Sequence, residues 1–284
     1  MHKSVRRFVL ALSGVFTLAA AAPVLAQDDL LARIKSNKEI SVATEARYAP
    51  FEYVDNGKIV GYDADLMAYV LKSLPDVKVK QLDLPFQGLL PGLDAKRFDI
   101  VVTAVTVNKD RADHFAFTLP VADATTGVLL RANESAIKSP NDLNGKVVGS
   151  QTGSAQLQAL VALDKKLKEA GGPGIKQIKQ YVSFDEAYAD LAVGRLDAVA
   201  QSVANLGPLM KSRPGVFTLL PQTIGPKSYF AWVARKDADS AALLKLFSDG
   251  IARANKDGTM KKLQEKWFGS TMDVPADALP APTL

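Results

Sequence analysis

Apolar and polar residues alternate along this chain in two rhythms. Glu39 to Thr44, EISVAT, follows a period of two, the rhythm of a half-buried strand. GYDADLMAYVLKSL, from Gly61 to Leu74, places Leu66, Val70, Leu71 and Leu74 on one helical face. Asp63 and Asp65 stand at its front, where carboxylates are expected to cap free N–H groups and favour the helix dipole. Between these segments EARYAPFEY reads as a loop carrying Tyr48, Phe51 and Tyr53 around Pro50. VKVKQLDL predicts a second strand. Leu89, Leu90 and Leu93 predict a helix, with Pro91 tolerable only near its first turn.

RFDIVVTAVTVNKDR, from Arg97 to Arg111, changes character midway. Phe98, Ile100, Val101 and Val102 read as a core strand, buried on both faces. Thr103, Thr106 and Asn108 then interrupt the apolar run, and a guanidinium follows at Arg111. A related unit comes later. SFDEAYADLAVGRLDAVA predicts a helix opened by a Ser183/Glu186 capping box and ended near Gly194, and RLDAVA echoes RFDIVV. One helix-then-strand unit in each half fits two α/β lobes of like construction, and equally chance repetition in an alternating chain. Between the two units a strand turns through Thr152, Gly153 and Ser154 into a helix carrying Leu157, Leu160, Val161 and Leu167, stopped by Gly171-Gly172-Pro173. Helices over Leu243–Ile251 and Leu263–Trp267 follow, and the proline-rich tail PADALPAPTL is expected to lack order.

The start of the chain changes how its charge is read. Lys3, Arg6 and Arg7 precede an apolar run from Phe8 to Ala22, and Val24-Leu25-Ala26 resembles a small-residue cleavage site. Residues 1–26 therefore read as a secretory signal peptide, too short for a comfortable membrane span. Without its three basic groups the formal net charge falls from +5 to +2. No polybasic face remains to argue for nucleic acid. The absence of cysteine excludes disulfides, thiol chemistry and a lipid anchor at the cleavage site, and suits an oxidising compartment. A periplasmic location is expected. The remaining 258 residues suit two lobes or one large α/β domain.

Candidate chemistry favours binding. His114 is the one histidine left after cleavage and sits in ADHFAFT, where a structural role is the ordinary reading. No ligand cluster has metal spacing, and the Gly171–Gly174 run follows a helix instead of opening one, so neither a metal nor another cofactor is expected. By contrast Thr103, Thr106 and Arg111 come at the end of a strand, where open α/β sheets place ligands. An arginine presents two parallel N–H groups to a carboxylate. The TGS turn ending at Ser154 opens a helix, a second place suited to an anion. Ordinary strand threonines, a surface arginine and core aromatics account for the same pattern.

Taken in order, RYAPFEY, GYDADL, LPFQGLLPGLDAKRFDIVVTAVTVNKDRADHFAFT, NDLNGKVVGSQTGS, GRLDAVA and DGTMKKLQEKWFG resemble the extracellular solute-binding proteins of family 3, which serve polar amino-acid and opine ABC transporters. The resemblance runs from about residue 38 to 270. It implies a type II periplasmic binding protein, with two α/β lobes joined by two hinge strands and a ligand cleft between them. Residues 27–122 plus 226–284 form lobe one, and 123–225 form lobe two. It implies that Arg111 clamps a ligand carboxylate beside Thr106, that the Ala104 carbonyl following Thr103 receives an ammonium, and that Tyr48 and Phe86 wall the ligand side chain. Glu45 falls where the family puts a side-chain-selective polar group, and Ser154 faces the carboxylate from lobe two. Ser202 departs from the pattern, since most amino-acid binders carry an aspartate there. An opine-like amine or organic acid is then an alternative ligand, with a local alignment slip the plain explanation. The implied partners are a small solute and a membrane-embedded ABC permease, and a monomer is expected. Rival readings are a cyclohexadienyl dehydratase on the same scaffold, using Glu45 as its acid, and a sensory receptor with a separate membrane partner.

Overall fold

The computed structural model describes residues 29–282. The signal peptide inferred for residues 1–26 lies outside them. Two sheets are built to one plan. In the first, Glu39–Thr44 runs parallel to Lys78–Asp83 on one side and to Ile100–Thr106 on the other. Tyr229–Arg235 then pairs antiparallel with Ile100–Thr106, and Phe115–Phe117 forms the far edge. In the second, Val147–Gln151 runs parallel to Gln177–Tyr181 and to Ala198–Ser202. Thr126–Arg131 pairs antiparallel with Ala198–Ser202 and carries Phe217–Leu219 at the edge. The weak echo between RFDIVV and RLDAVA is this shared topology: both segments lead into the strand beside the antiparallel one.

The chain passes from the first sheet to the second between Asp123 and Thr126 and returns between Leu219 and Tyr229. The two crossings are tied together. Ala122–Asp123 pairs with Tyr229–Phe230, the Ala124 N–H donates to the Ser228 carbonyl at 2.9 Å, and Thr126 bridges Ile224. Paired crossings of this kind make a two-stranded hinge.

Several local expectations are corrected. EARYAPFEY is not an irregular loop. Arg47–Tyr48 and Glu52–Asp55 pair antiparallel, and Lys58–Val60 completes a small three-stranded sheet. The helix Phe86–Asp94 holds Pro91 at its sixth residue, beyond the first turn. Both Pro91 and Gln87, whose carbonyl the missing N–H would have served, are exposed, so water can replace the lost bond. Ser183 does precede the helix Phe184–Ala192, but its side chain makes no cap bond. The tail is not wholly detached, since Leu279 packs against the apolar cluster around Phe86, Leu89 and Val101.

Asp63 is the largest departure. It caps nothing; the helix Tyr62–Val70 is preceded by Gly61, and Asp63 is fully buried. Its carboxyl faces that of buried Glu52, with the Thr44 hydroxyl and Trp232 indole beside them. Two ionised carboxylates facing each other out of water repel, so the site favours the protonated form. Burial pushes Asp63 up to about 7, and burial together with the neighbouring Asp63 raises Glu52 well above the ordinary range. Gly61 is required where this helix meets the small sheet. At φ +135° a Cβ there would lie 2.2 Å from the Phe51 carbonyl oxygen.

Among the described residues, no helix is long and apolar enough to cross a membrane, and no acidic, histidine or cysteine cluster suits a metal.

Candidate ligand cleft between the two sheets

The strand Ile100–Thr106 is buried along its whole length and ends at the junction of the two sheets. Its ladder with Tyr229–Arg235 is irregular. Val101 pairs with Val233 and Val105 with Ala231, so Val102, Thr103 and Ala104 all stand against Trp232. Such a bulge takes backbone groups out of the ladder and re-aims them, as happens beside many binding sites. It falls on Thr103 and Ala104, two of the residues implicated from sequence.

Asn108 follows the strand and caps the helix Lys109–His114, its Oδ1 accepting from the Arg111 N–H at 3.0 Å. This cap turns Arg111 inward. The side chain is 7 % exposed, its guanidinium 5.4 Å from the centre of the Phe86 ring. Nη1 donates to the Thr106 carbonyl at 2.8 Å and Nη2 to the Gly153 carbonyl, on the other sheet, at 2.9 Å. Burial lowers its pKa to about 10, which still leaves it charged at neutral pH. Among the described residues no carboxylate forms an ion pair with it. A cation taken out of water and given only carbonyl partners is costly unless an anion joins it.

The second sheet brings Gln151, Gly153 and Ser154 to the same junction. Gly153 takes φ +77°, and Ser154 caps the helix Ala155–Glu169. The Ser154 hydroxyl accepts from the Leu157 N–H at 3.0 Å and donates to the Gln151 carbonyl at 2.8 Å. Gln151 donates its amide to the Glu45 carboxyl and to the Val182 carbonyl. Glu45 is 3 % exposed, and its second oxygen has no partner. Burial raises its pKa to about 8, so it is largely protonated at pH 7.

Further contacts close the junction. The Tyr48 hydroxyl donates to Gln201 at 3.1 Å, Asn108 to Gln158 at 2.8 Å, and Asn205 to the Ala49 carbonyl at 2.9 Å. With Glu45–Gln151 and Arg111–Gly153, these bonds make the structure a shut one.

All nine residues singled out from sequence are buried. Glu45, Tyr48 and Arg111 each bond across the junction, and Phe86 lies under Arg111. Ser202 is different. Its hydroxyl caps the helix Val203–Ser212 through the Ala204 N–H at 3.3 Å and donates to the Asp123 carbonyl at 3.2 Å. It therefore serves its own helix and the crossing segment. Gln151, Gln201 and Asn205 escaped the sequence reading. Each is polar in an otherwise apolar or small-residue stretch, and that was the available signal. His114 is exposed, its Nδ1 2.8 Å from the Asp110 carbonyl.

Two like-built α/β lobes, a paired hinge and polar groups meeting between them define the type II periplasmic binding fold. The chain belongs to the bacterial extracellular solute-binding proteins, family 3, whose sequence model matches residues 40–270. It is 29 % identical over 266 residues to the L-cystine-binding protein TcyJ of Escherichia coli K12, covering 92 % of this chain and 95 % of that one. Among solved structures, an ancestral arginine-binding protein bound to arginine matches with TM-score 0.72 at 32 % identity, over 82 % of this chain and 99 % of that one. The ancestral amino acid-binding protein AncCDT-1, a precursor of cyclohexadienyl dehydratase, matches with TM-score 0.73 at 28 % identity, over 84 % and 99 % respectively.

Proposed function

We propose that this protein is the periplasmic solute-binding component of an ABC importer, and that it takes a small solute bearing a carboxylate, most simply a polar amino acid or a derivative of one. The observation that carries this reading is the buried Arg111 guanidinium with no carboxylate partner among the described residues, held at the end of a bulged strand. A ligand carboxylate would receive its remaining N–H groups, the N–H at the start of the Ala155–Glu169 helix and the backbone freed at Thr103–Ala104. Tyr48 and Phe86 would flank the ligand side chain, and the free Glu45 oxygen would hydrogen-bond a polar group on it, donating when the carboxyl is protonated and accepting when it is ionised. The relatives bind L-cystine and arginine by name, which supports a ligand of that class.

Within the described residues, the lobes in this reading are 29–122 plus 226–282, and 123–225. Ligand would dock on the first lobe and draw the second over it, and can favour closure only by as much as it binds the closed form better. A permease in the membrane would then receive the closed, loaded form. The Ser154 and Ser202 hydroxyls both cap helices. The opine-like or organic-acid alternative rests on the missing aspartate at position 202, which this capping does not replace. The test is a thermal-shift panel of amino acids, opines and dicarboxylates. A true ligand at a hundred times its Kd should add about 2.7 kcal/mol. Silence across the whole panel would overturn the assignment.

A second reading has one observation in its favour. Glu45 is a buried carboxyl with its pKa raised to about 8, as a general acid requires. A dehydratase would turn over prephenate or arogenate; an absence of product from both would remove this reading and leave the first untouched.

A further inference from the structure

A cavity of about 320 Å³ lies between the sheets beside Tyr48. The small sheet that carries Tyr48 and Tyr53 forms one wall, with Trp267. Phe184, Tyr188 and the helix Val203–Ser212 form the other. The volume is at the lower end of the range for small-molecule sites, roughly 300–1,000 Å³. The aromatic lining suits the faces of a ring.

Its polar groups are sorted by depth. At the inner end sit Gln201, Tyr188 and Asn205, all buried. Gln201 accepts from Tyr48 and donates to Tyr188, and so is partnered. Asn205 is 2 % exposed and spends its amide N–H on the Ala49 carbonyl, which leaves Oδ1 buried with no donor. A buried acceptor left alone is unfavourable, and because Asn205 lines this end of the cavity, an O–H or N–H brought there would relieve it. At the rim, Arg47 and Arg213 are exposed, and among the described residues neither forms an ion pair. Asp185 stands near both without reaching bonding distance, so the rim is net positive.

We propose that this cavity is a second ligand site, separate from the Arg111 cleft, for a small aromatic carboxylate carrying a hydrogen-bond donor at the far end of its ring. The donor meets Asn205 Oδ1, the ring lies among Tyr48, Tyr188 and Trp267, and the carboxylate faces Arg47 and Arg213. Because the walls come from both sides of the hinge, the occupant binds only the shut form and holds it shut. Occupancy would therefore tighten binding in the Arg111 cleft, and the coupling is necessarily reciprocal.

The chain holds two tryptophans, and one of them, Trp267, lines the cavity, while Trp232 is fully buried elsewhere. Titration of 4-hydroxyphenylacetate into the protein is expected to change tryptophan emission saturably. The change should vanish in Trp267→Phe. Phenylacetate, which lacks the donor, should bind about tenfold more weakly, equivalent to about 1.4 kcal/mol. The double variant Arg47→Ser/Arg213→Ser alters only exposed side chains and should lose at least about tenfold, while Asn205→Leu should bind the two probes equally. A titration without saturation at millimolar probe would overturn the proposal. So would equal affinity for the two probes in the wild type, or indifference to the rim substitutions.

Discussion

The hydrogen bond between Glu45 and Gln151 makes closure sensitive to pH. Glu45 follows a strand of the first sheet and Gln151 ends a strand of the second, so separating the sheets would return the carboxyl to water and to its ordinary pKa of 4.5, against about 8 when shut. The shut form therefore binds the extra proton. Closure has its full strength below about pH 4.5 and weakens as pH rises through about 8, by about 1.4 kcal/mol per unit across that window. At pH 7 the accumulated penalty is about 3 kcal/mol, on the order of a few hundredfold in affinity. A ligand with an uncharged side chain should therefore bind about tenfold more weakly for each unit between pH 5 and pH 8, taking up nearly one proton at pH 7. A ligand that sets a cation against the free Glu45 oxygen keeps the carboxylate charged and flattens the slope. Calorimetry of the tightest amino acid from the panel, in buffers of different ionisation enthalpy, measures the proton count directly. Glu45→Gln should abolish the slope for an uncharged side chain, and should lose at least about tenfold in affinity for a cationic one. A Glu45→Gln protein with wild-type affinity and wild-type proton uptake would refute the reasoning.

Four further outcomes are expected. Arg111→Lys keeps a positive charge but loses the fork, and should weaken the natural solute about 10- to 150-fold, from one charged hydrogen bond of about 1.5–3 kcal/mol, while Arg111→Ala should lose more with its circular dichroism unchanged. Ser202→Ala should lower stability by about 1 kcal/mol in urea melts, the usual value of an N-cap, and leave ligand affinity within about threefold. The buried Glu52–Asp63 pair has raised pKa values in the folded state, so the stability it lends is full below about pH 4 and declines as pH rises through about 7; Asp63→Asn should flatten that decline in thermal melts between pH 5 and pH 9. Gly61→Ala should destabilise by at least about 2 kcal/mol, since a methyl group there meets backbone and cannot be relieved by a side-chain rotation.

The strands and the long helices were legible because their apolar spacing is undiluted. Ile100 to Val102 could be nothing but core, and Leu243, Phe247 and Ile251 mark one face of a helix that the structure extends over Ala241–Lys256. The cleft was legible through the polar break after Val102 and the arrival of Arg111. Other features depend on contacts between residues far apart in the chain. Asp63 looks like a capping residue until Glu52 is brought against it by the small sheet. The bulge at Val102–Ala104 is a mismatch with a strand more than a hundred residues later, invisible to local periodicity. Gln151 shows its role only once Glu45 stands opposite, and the Ser202 hydroxyl is claimed by a helix start that no family pattern announces.

The strand Tyr229–Arg235 sits inside the first sheet, between Ile100–Thr106 and Phe115–Phe117. Of the strands among the described residues it is the last that a ribosome delivers. The half of the molecule that bears Arg111 must therefore wait, with a gap in its middle, until Arg235 has emerged, whereas the inserted half already has all its strands by Leu219. Nascent chains cut short near residue 225 should contain one finished body and one unfinished, and a chaperone that recognises unpaired strand edges would find its target on the amino-terminal side.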